Sequence, residues 1–497
     1  MLIKFNLFKP FFIPFIPLFA AVFLVASMSG CSLNPATGER SFTGLLSTED
    51  EKRIGAEEHP KLVQAFGGLY DDEKIQAYVR SIGKLVHATT EMNDTPFQFF
   101  VLDSPVVNAF ALPGGYIYVT RGLLALANDE AELAGVLAHE IGHVTARHSA
   151  QRYSRDLVVN LGTTIIGAVV GSQPIAELGN IVGSAYIQGY SREQEHQADM
   201  LGVRYLARAG YDPTAMSTFL NSMSAESSLK HKIDGKIGEG NEYNLFSSHP
   251  RTAERIVRSA NEAIKNNRDA RTRDRNLFLN KIDGLVWGDS LKQGSVKGRS
   301  FEHPYLRFNF VAPKDFKLKN TPSAVLGDHF SGATLRFDGD YIQNEKLNTQ
   351  DYMRIEWLPE VKLIKQESLK INGFDAATAT GLISIRGDWA NARFVVIRWK
   401  KNYVYRFLFV NPVTKPPVMD NNFRDSAFSF RKLSNSEAQS ISYLRIKVLK
   451  VKHGQNKKEL ASRMEIEGNK LEWFNVLNGF NKKTGIKADQ LVKIIGR

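Results

Sequence analysis

The sequence predicts a multidomain α+β protein built as a mainly helical part, a strand-rich α+β part and a small strand–helix–helix–strand end. Three observations carry this. Residues 31–280 hold stretches with apolar side chains at helical spacing, most completely around residues 130–145. From about residue 285, and up to 433, aromatic and β-branched residues alternate with polar ones in short runs separated by Gly-Asp or Asn turns. Residues 441–497 then read as one strand, two short helices and one strand. A chain of 497 residues has room for roughly two to four such domains.

Residues 1–30 read as a secretory signal: Lys4 and Lys9, an apolar run broken by Pro14 and Pro17, then small residues ending Ser29-Gly30-Cys31. A small pair before the only cysteine resembles a bacterial lipobox, although Met28 stands where leucine is usual. That implies lipidation at Cys31, and Ser32 after it favours the outer membrane by analogy with Gram-negative sorting. One cysteine also rules out an internal disulfide and a cysteine-rich metal site, so any metal is held by His, Glu or Asp. Residues 34–38 suit a short tether.

Ser47 or Thr48 caps a first helix, and a second runs over about 71–88 with Ile75, Val79, Ile82, Leu85 and Val86 on one side. Residues 97–102 read as a strand, and 108–120 as a hairpin turning at Pro113-Gly114-Gly115. Gly114 and Gly115 supply positive φ, and Tyr116, Ile117 and Tyr118 begin the second strand. This stretch reads equally as a structural hairpin or as an edge that pairs with an extended substrate.

The next helix carries His139-Glu140-Ile141-Gly142-His143, with Asn128 or Asp129 as its cap. Four residues turn a helix by about 400°, so both imidazoles leave one face and can chelate one zinc ion. Glu140 beside them is placed as the general base of the His-Glu-x-x-His arrangement. His148, nine residues beyond His139, points elsewhere on a continued helix and reads as a surface or supporting residue. Residues 157–176 carry no charge, but Gly162, Gly167, Gly171 and Pro174 favour a buried or lid-like helix pair over a membrane span. In residues 191–199, Glu195 and Asp199 repeat the four-residue offset. Glu195 can complete a two-His, one-Glu zinc site, and Asp199 can accept the second ring N–H of a ligand histidine. The same run also reads as a solvated charged face; His196, one step round, belongs to the surface.

Together, residues 108–123, 132–143 and Ser191-Arg192-x-x-Glu195-x-x-Ala198-Asp199 resemble the HtpX-type zinc metallopeptidases, and within them the periplasmic lipoprotein branch of the BepA group. The resemblance spans about residues 45–265. It implies a mainly helical zincin of gluzincin type with one zinc ion on His139, His143 and Glu195, water activation by Glu140 and a substrate cleft beside the hairpin. It also singles out His249 in Ser248-His249-Pro250, followed by Arg255. In that group a histidine at this place can take the fourth zinc position and hold the enzyme latent; the alternative is that His249 caps a helix beginning at Pro250. The tetratricopeptide pattern of that group is absent, so its partners do not carry over.

In the strand-rich part, 308–312, 333–337, 352–357, 382–385, 392–399 and 403–409 are expected strands, with short helices at 348–352 and 422–428. No ligand cluster appears there, and the default reading is a docking module. After a polar link at 434–440, the end resembles a LysM domain, which implies peptidoglycan binding, although His453-Gly454-Gln455-Asn456 replaces the usual turn. The net charge of +12 fits an anionic neighbour such as phospholipid or peptidoglycan. Nucleic acid is not expected, because no helix-turn-helix, zinc-finger or RNA-binding signature is present. The expected function is a zinc endopeptidase on the periplasmic face of a bacterial envelope, cutting unfolded or misassembled polypeptides such as outer-membrane proteins. The rival readings are a non-catalytic chaperone or scaffold anchored to the cell wall, and a peptidoglycan hydrolase.

Overall fold

Short polar side chains set where the site-bearing helices begin. The computed structural model describes residues 31–42, 46–92, 95–152, 154, 189–234, 249, 253–265, 272–385, 387–412, 420–481 and 485–497. The expected signal at 1–30 and the uncharged stretch 157–176 lie outside the described residues. The first part runs β1 (Cys31–Leu33), β2 (Arg40–Phe42), α1 (Thr48–Ala65), α2 (Glu73–His87), β3 (Gln98–Leu102), β4 (Ala109–Leu112), β5 (Tyr116–Thr120), α3 (Arg121–Leu126), α4 (Glu130–Thr145), α5 (Arg192–Arg208), α6 (Ala215–Asp234), α7 (Ala253–Lys265) and α8 (Arg275–Ile282). Ser47 and Asp50 form a capping box on α1, Asp129 accepts from Glu132 N–H to cap α4, and Ser191 with Gln194 boxes the start of α5.

The three-stranded sheet has the order β3-β5-β4, with β3 parallel and β4 antiparallel to β5. This corrects the expected substrate edge. The strand with Tyr116, Ile117 and Tyr118 is hydrogen-bonded on both sides, so the hairpin's free edge belongs to β4. Gly114 and Gly115 do make the turn, at φ 80° and 89°, and a Cβ on either would lie 2.7 Å from the backbone of Lys52 or Pro96.

Helix α4 is buried along almost its whole length, between α5, α6 and the sheet. Its sequence accordingly lacks a polar face: Leu133, Ala134, Leu137, Ala138 and Ile141 are all inaccessible.

The middle part consists of a two-residue strand β6 (Val286–Trp287), then β7 (Ser295–Lys297), β8 (Ser300–His303), β9 (Phe308–Val311), β10 (Lys317–Asn320), β11 (Val325–Asp328), β12 (Thr334–Tyr341), α9 (Thr349–Tyr352), β13 (Ile364–Ile371), β14 (Phe374–Ile385), β15 (Asp388–Lys400), β16 (Tyr403–Pro412), α10 (Asp420–Phe428), β17 (Arg431–Lys432) and α11 (Asn435–Ser440). A seven-stranded sheet, β10-β11-β12-β16-β15-β14-β13, packs a phenylalanine-rich core that includes Phe310 and Phe308 of the four-stranded sheet β17-β9-β8-β7. The expected strand at 352–357 is instead the end of α9 and a π-helical turn, Met353–Trp357. Asn348 caps this helix, which lays Tyr352 and Met353 onto the sheet and sets Trp357 edge-on to Phe394. The expected link at 434–440 is likewise helical, started by the Ser434–Glu437 capping box.

The end follows the expected order: β18 (Leu444–Lys450), α12 (Lys457–Ser462), α13 (Lys470–Leu477) and β19 (Leu491–Gly496). It is built into the helical part. β18 pairs with both β19 and β6, and Ile446, Leu460, Phe474 and Ile495 share one apolar core with Leu123, Phe278 and Leu279. Fully buried Lys493 of β19 donates its Nζ to the carbonyls of Ala125 and Ala127 at 2.8 and 2.6 Å, just before the cap of α4.

Candidate metal centre

Two helices cross closely enough to bring their functional faces together because glycine sits at the crossing. A Cβ on Gly202 of α5 would lie 3.1 Å from His139 N, and one on Gly142 of α4 would lie 3.1 Å from Ala198 O. The crossing faces His139, Glu140 and His143 of α4 toward Glu195 and Asp199 of α5, and His249 joins them from the segment before α7.

His139, His143, Glu195 and His249 are all buried, and one donor atom from each lies within 4.8 Å of the others. His139 Nε2 is 3.0 Å from His143 Nε2, 3.6 Å from Glu195 Oε2 and 3.3 Å from His249 Nδ1, and His143 Nε2 is 3.4 Å from Glu195 Oε1. Tetrahedral zinc with nitrogen and oxygen ligands separates its donors by about 3.4 Å, so these residues fit the ion. His249 also lies 2.7 Å from Glu195 Oε1 through Nδ1 and 3.5 Å from Glu140 Oε1 through Nε2.

Glu140 is fully buried, and neither of its carboxylate oxygens has a hydrogen-bond partner among the described residues. It lines a cavity of about 20 Å³ with His139, His249 and the apolar side chains of Val136 and Phe219. That volume holds one water molecule. Burial raises the Glu140 carboxyl above its usual range, against the pull of His249 and His139. Burial opposes ionisation of Glu195 too, yet the facing His249 and the hydrogen bonds from His143 and His249 hold it well below that range.

Asp199 Oδ1 stands 3.0 Å from His139 Nδ1, the position expected for a carboxylate that orients a ligand ring. Burial works against its charge, and Arg255 holds its carboxyl down. Arg255 was not assigned a role by the sequence. The usable signal was the surplus of acid: Glu140, Glu195 and Asp199 in one buried site need a cation, and Arg255 follows His249 in the same segment.

His148 is fully buried, a supporting position rather than a surface one. α4 ends at Thr145, Arg147 adopts a left-handed conformation (φ 57°), and the chain turns back. His148 Nδ1 thereby reaches 2.9 Å from His143 Nδ1. Burial pushes its ring down to about 4. Tyr190 stacks on His143 with ring centroids 3.8 Å apart and was not foreseen, since nothing in its local sequence marks it.

Comparisons with known proteins cover the part of the chain that carries this constellation. Residues 73–263 match Peptidase family M48. The chain is 30% identical over 220 residues to the beta-barrel assembly-enhancing protease of Escherichia coli (strain K12), covering 40% of this chain and 45% of that protein. It is 29% identical over 225 residues to the protein of the same name in Yersinia pestis, covering 41% and 46%. It is also 28% identical over 225 residues to the mitochondrial metalloendopeptidase OMA1 of Schizosaccharomyces pombe, covering 45% and 63%. The chain thus spans less than half the length of the bacterial relatives it matches.

Proposed function

We propose that this chain, whose residues 73–263 carry a peptidase family M48 domain, is a zinc-dependent endopeptidase of the bacterial cell envelope. The observation that carries the reading is the buried carboxylate of Glu140, 3.5 Å from His249 Nε2 and without a hydrogen-bond partner among the described residues, beside a one-water cavity and four converging metal donors. Zinc held there supplies Lewis acidity, polarising a scissile carbonyl and lowering the pKa of water toward about 7. Glu140 takes the proton of the attacking water and returns it to the leaving nitrogen, a task suited to a carboxyl raised by burial. His139, His143 and Glu195 are the ligands. Asp199 and Arg255 hold that set in place.

In this reading His249 takes the fourth donor position beside His139, His143 and Glu195, the place a substrate carbonyl would need, so the arrangement is a closed one that opens when His249 leaves. An extended polypeptide then pairs with the free edge of β4, which packs against α4. The bacterial relatives' name, beta-barrel assembly-enhancing protease, supports a setting in β-barrel assembly, and in this reading the substrates are unfolded or misassembled outer-membrane proteins. In this reading the chain is an outer-membrane lipoprotein tethered at Cys31 on the periplasmic side. Its LysM-like end, 441–497, follows the strand–helix–helix–strand order and offers a peptidoglycan contact.

The test is casein cleavage by purified protein with one zinc per chain. Activity is expected to vanish with chelator and in Glu140→Gln with zinc retained, and to rise in His249→Ala. Cleavage by Glu140→Gln at the wild-type rate would refute the assigned base. A zinc-free, inactive wild type would leave the scaffold reading. An unchanged His249→Ala would remove the gate.

A further inference from the structure

We infer that His148, Gln197 and Glu39 form a hydrogen-bond relay that fixes the tautomer of His143, making His148 a positioning residue and the exposed Glu39 a remote determinant of zinc affinity. The inference rests on the zinc reading above and deepens it.

The chain of hydrogen bonds runs inward from the surface. A glutamate carboxylate accepts hydrogen bonds and donates none. Glu39 Oε2 lies 2.6 Å from Gln197 Nε2, which fixes the amide with its NH₂ toward Glu39 and its oxygen inward. Gln197 Oε1 is 3.0 Å from His148 Nε2, and an amide oxygen only accepts, so Nε2 of His148 carries the hydrogen. A neutral His148 then presents a lone pair at Nδ1, 2.9 Å from His143 Nδ1. His143 Nδ1 must donate, which leaves the lone pair of His143 on Nε2, the nitrogen facing His139 and Glu195. A zinc ligand needs that tautomer, and fixing it through the second ring nitrogen is what outer partners of metal histidines do. Here the partner is a second imidazole, with the carboxylate two bonds further out.

The segment that presents Glu39 is itself fastened to the site helices. Asn34 Nδ2 donates to Thr145 O at the end of α4 (2.8 Å), and Arg204 of α5 donates to Ala36 O (3.1 Å). Asn34 N–H closes the loop on Glu39 O at 2.8 Å. Residues 34–38, expected to be a tether, therefore brace the metal centre together with Glu39.

The test is zinc affinity of the full chain by competition with a chromogenic chelator, with the melting temperature of the metal-free protein as a folding control. His148→Phe keeps the ring and removes both nitrogens; it should bind zinc about 10–100-fold more weakly. His148→Gln supplies one acceptor and one donor and should restore most of the affinity. Glu39→Lys offers only donors, which turns Gln197 round and reverses the relay, so His143 would hold its hydrogen on Nε2. Glu193→Lys makes the same charge change at an exposed position of α5 outside the relay. Glu39→Lys should weaken zinc binding about tenfold more than Glu193→Lys, at unchanged melting temperature. Equal affinities for those two variants, or a His148→Gln as weak as His148→Phe, would overturn the relay. A wild type that takes up no zinc overturns the metal reading and the relay with it.

Discussion

Arg255 grips Asp199 with two parallel hydrogen bonds, Nε to Oδ2 at 2.8 Å and Nη2 to Oδ1 at 2.7 Å, while its Nη1 lies 2.7 Å from Glu195 Oε2. One buried guanidinium thus balances two carboxylates of the metal centre from α7. Arg255→Ala removes the cation that both buried carboxylates share, leaving only imidazoles beside them, and is expected to cost about 3–5 kcal/mol. Arg255→Lys should recover only part, since an ammonium cannot reproduce the planar fork. Denaturant unfolding of the metal-free protein measures both.

The crossing of α4 and α5 predicts opposite outcomes for two glycines. A Cβ at Gly202 would press on His139 N and Cα at 3.1 and 3.2 Å, backbone atoms that cannot step aside. Gly202→Ala should cost about 1–3 kcal/mol and lower the zinc retained after dialysis. At Gly135 the nearest atoms are 3.6 Å away, so Gly135→Ala should be neutral or stabilising by up to about 1 kcal/mol.

Lys493→Met keeps an apolar stem but removes the amine that closes the carbonyls at the end of α3. A loss of about 3 kcal/mol is expected. Hydrogen exchange should rise at residues 123–132 as well as in the C-terminal unit. Faster exchange confined to β18 and β19 would contradict the coupling.

His303 makes the middle part sensitive to acid. Its Nδ1 accepts from Leu306 N–H at 3.2 Å, and burial pushes its ring from 6.5 down to about 4. The folded form binds the proton less readily than the unfolded chain. Its contribution is therefore complete above pH 6.5 and is lost as pH falls toward 4, by at most about 3 kcal/mol. His303→Asn keeps an acceptor and removes the titration, so its stability should fall less between pH 7 and 4.5 than the wild type's, by calorimetry.

What was legible in the sequence was local. His139, Glu140 and His143, and likewise Glu195 and Asp199, are set by offsets along single helices, and Asp129 and Ser47 announce their helices by cap chemistry. Arg255, Tyr190 and the inward turn of His148 depend on contacts between segments far apart in the chain. The pairing of β5 on both sides is equally non-local, since Tyr116 to Tyr118 would alternate the same way on an edge. At Tyr352 an aromatic alternation resembled a strand, and the cap at Asn348 outweighed it. Lys493 sits in an ordinary strand pattern, and only the packing shows that its amine is buried.

The pairing of β6 with β18 has a consequence for when the chain becomes complete. Leu444 and Arg445 lie opposite Trp287 and Val286, so the whole chain between β6 and β18 is looped out between two neighbours in one sheet. Closing so long a loop is an entropic cost met late in folding. A chain emerging amino end first presents α4 and α5 before β19 is there to set the Lys493 amine on the carbonyls of Ala125 and Ala127. A half-made chain therefore lacks the clasp that its last strand closes over the turn ahead of α4.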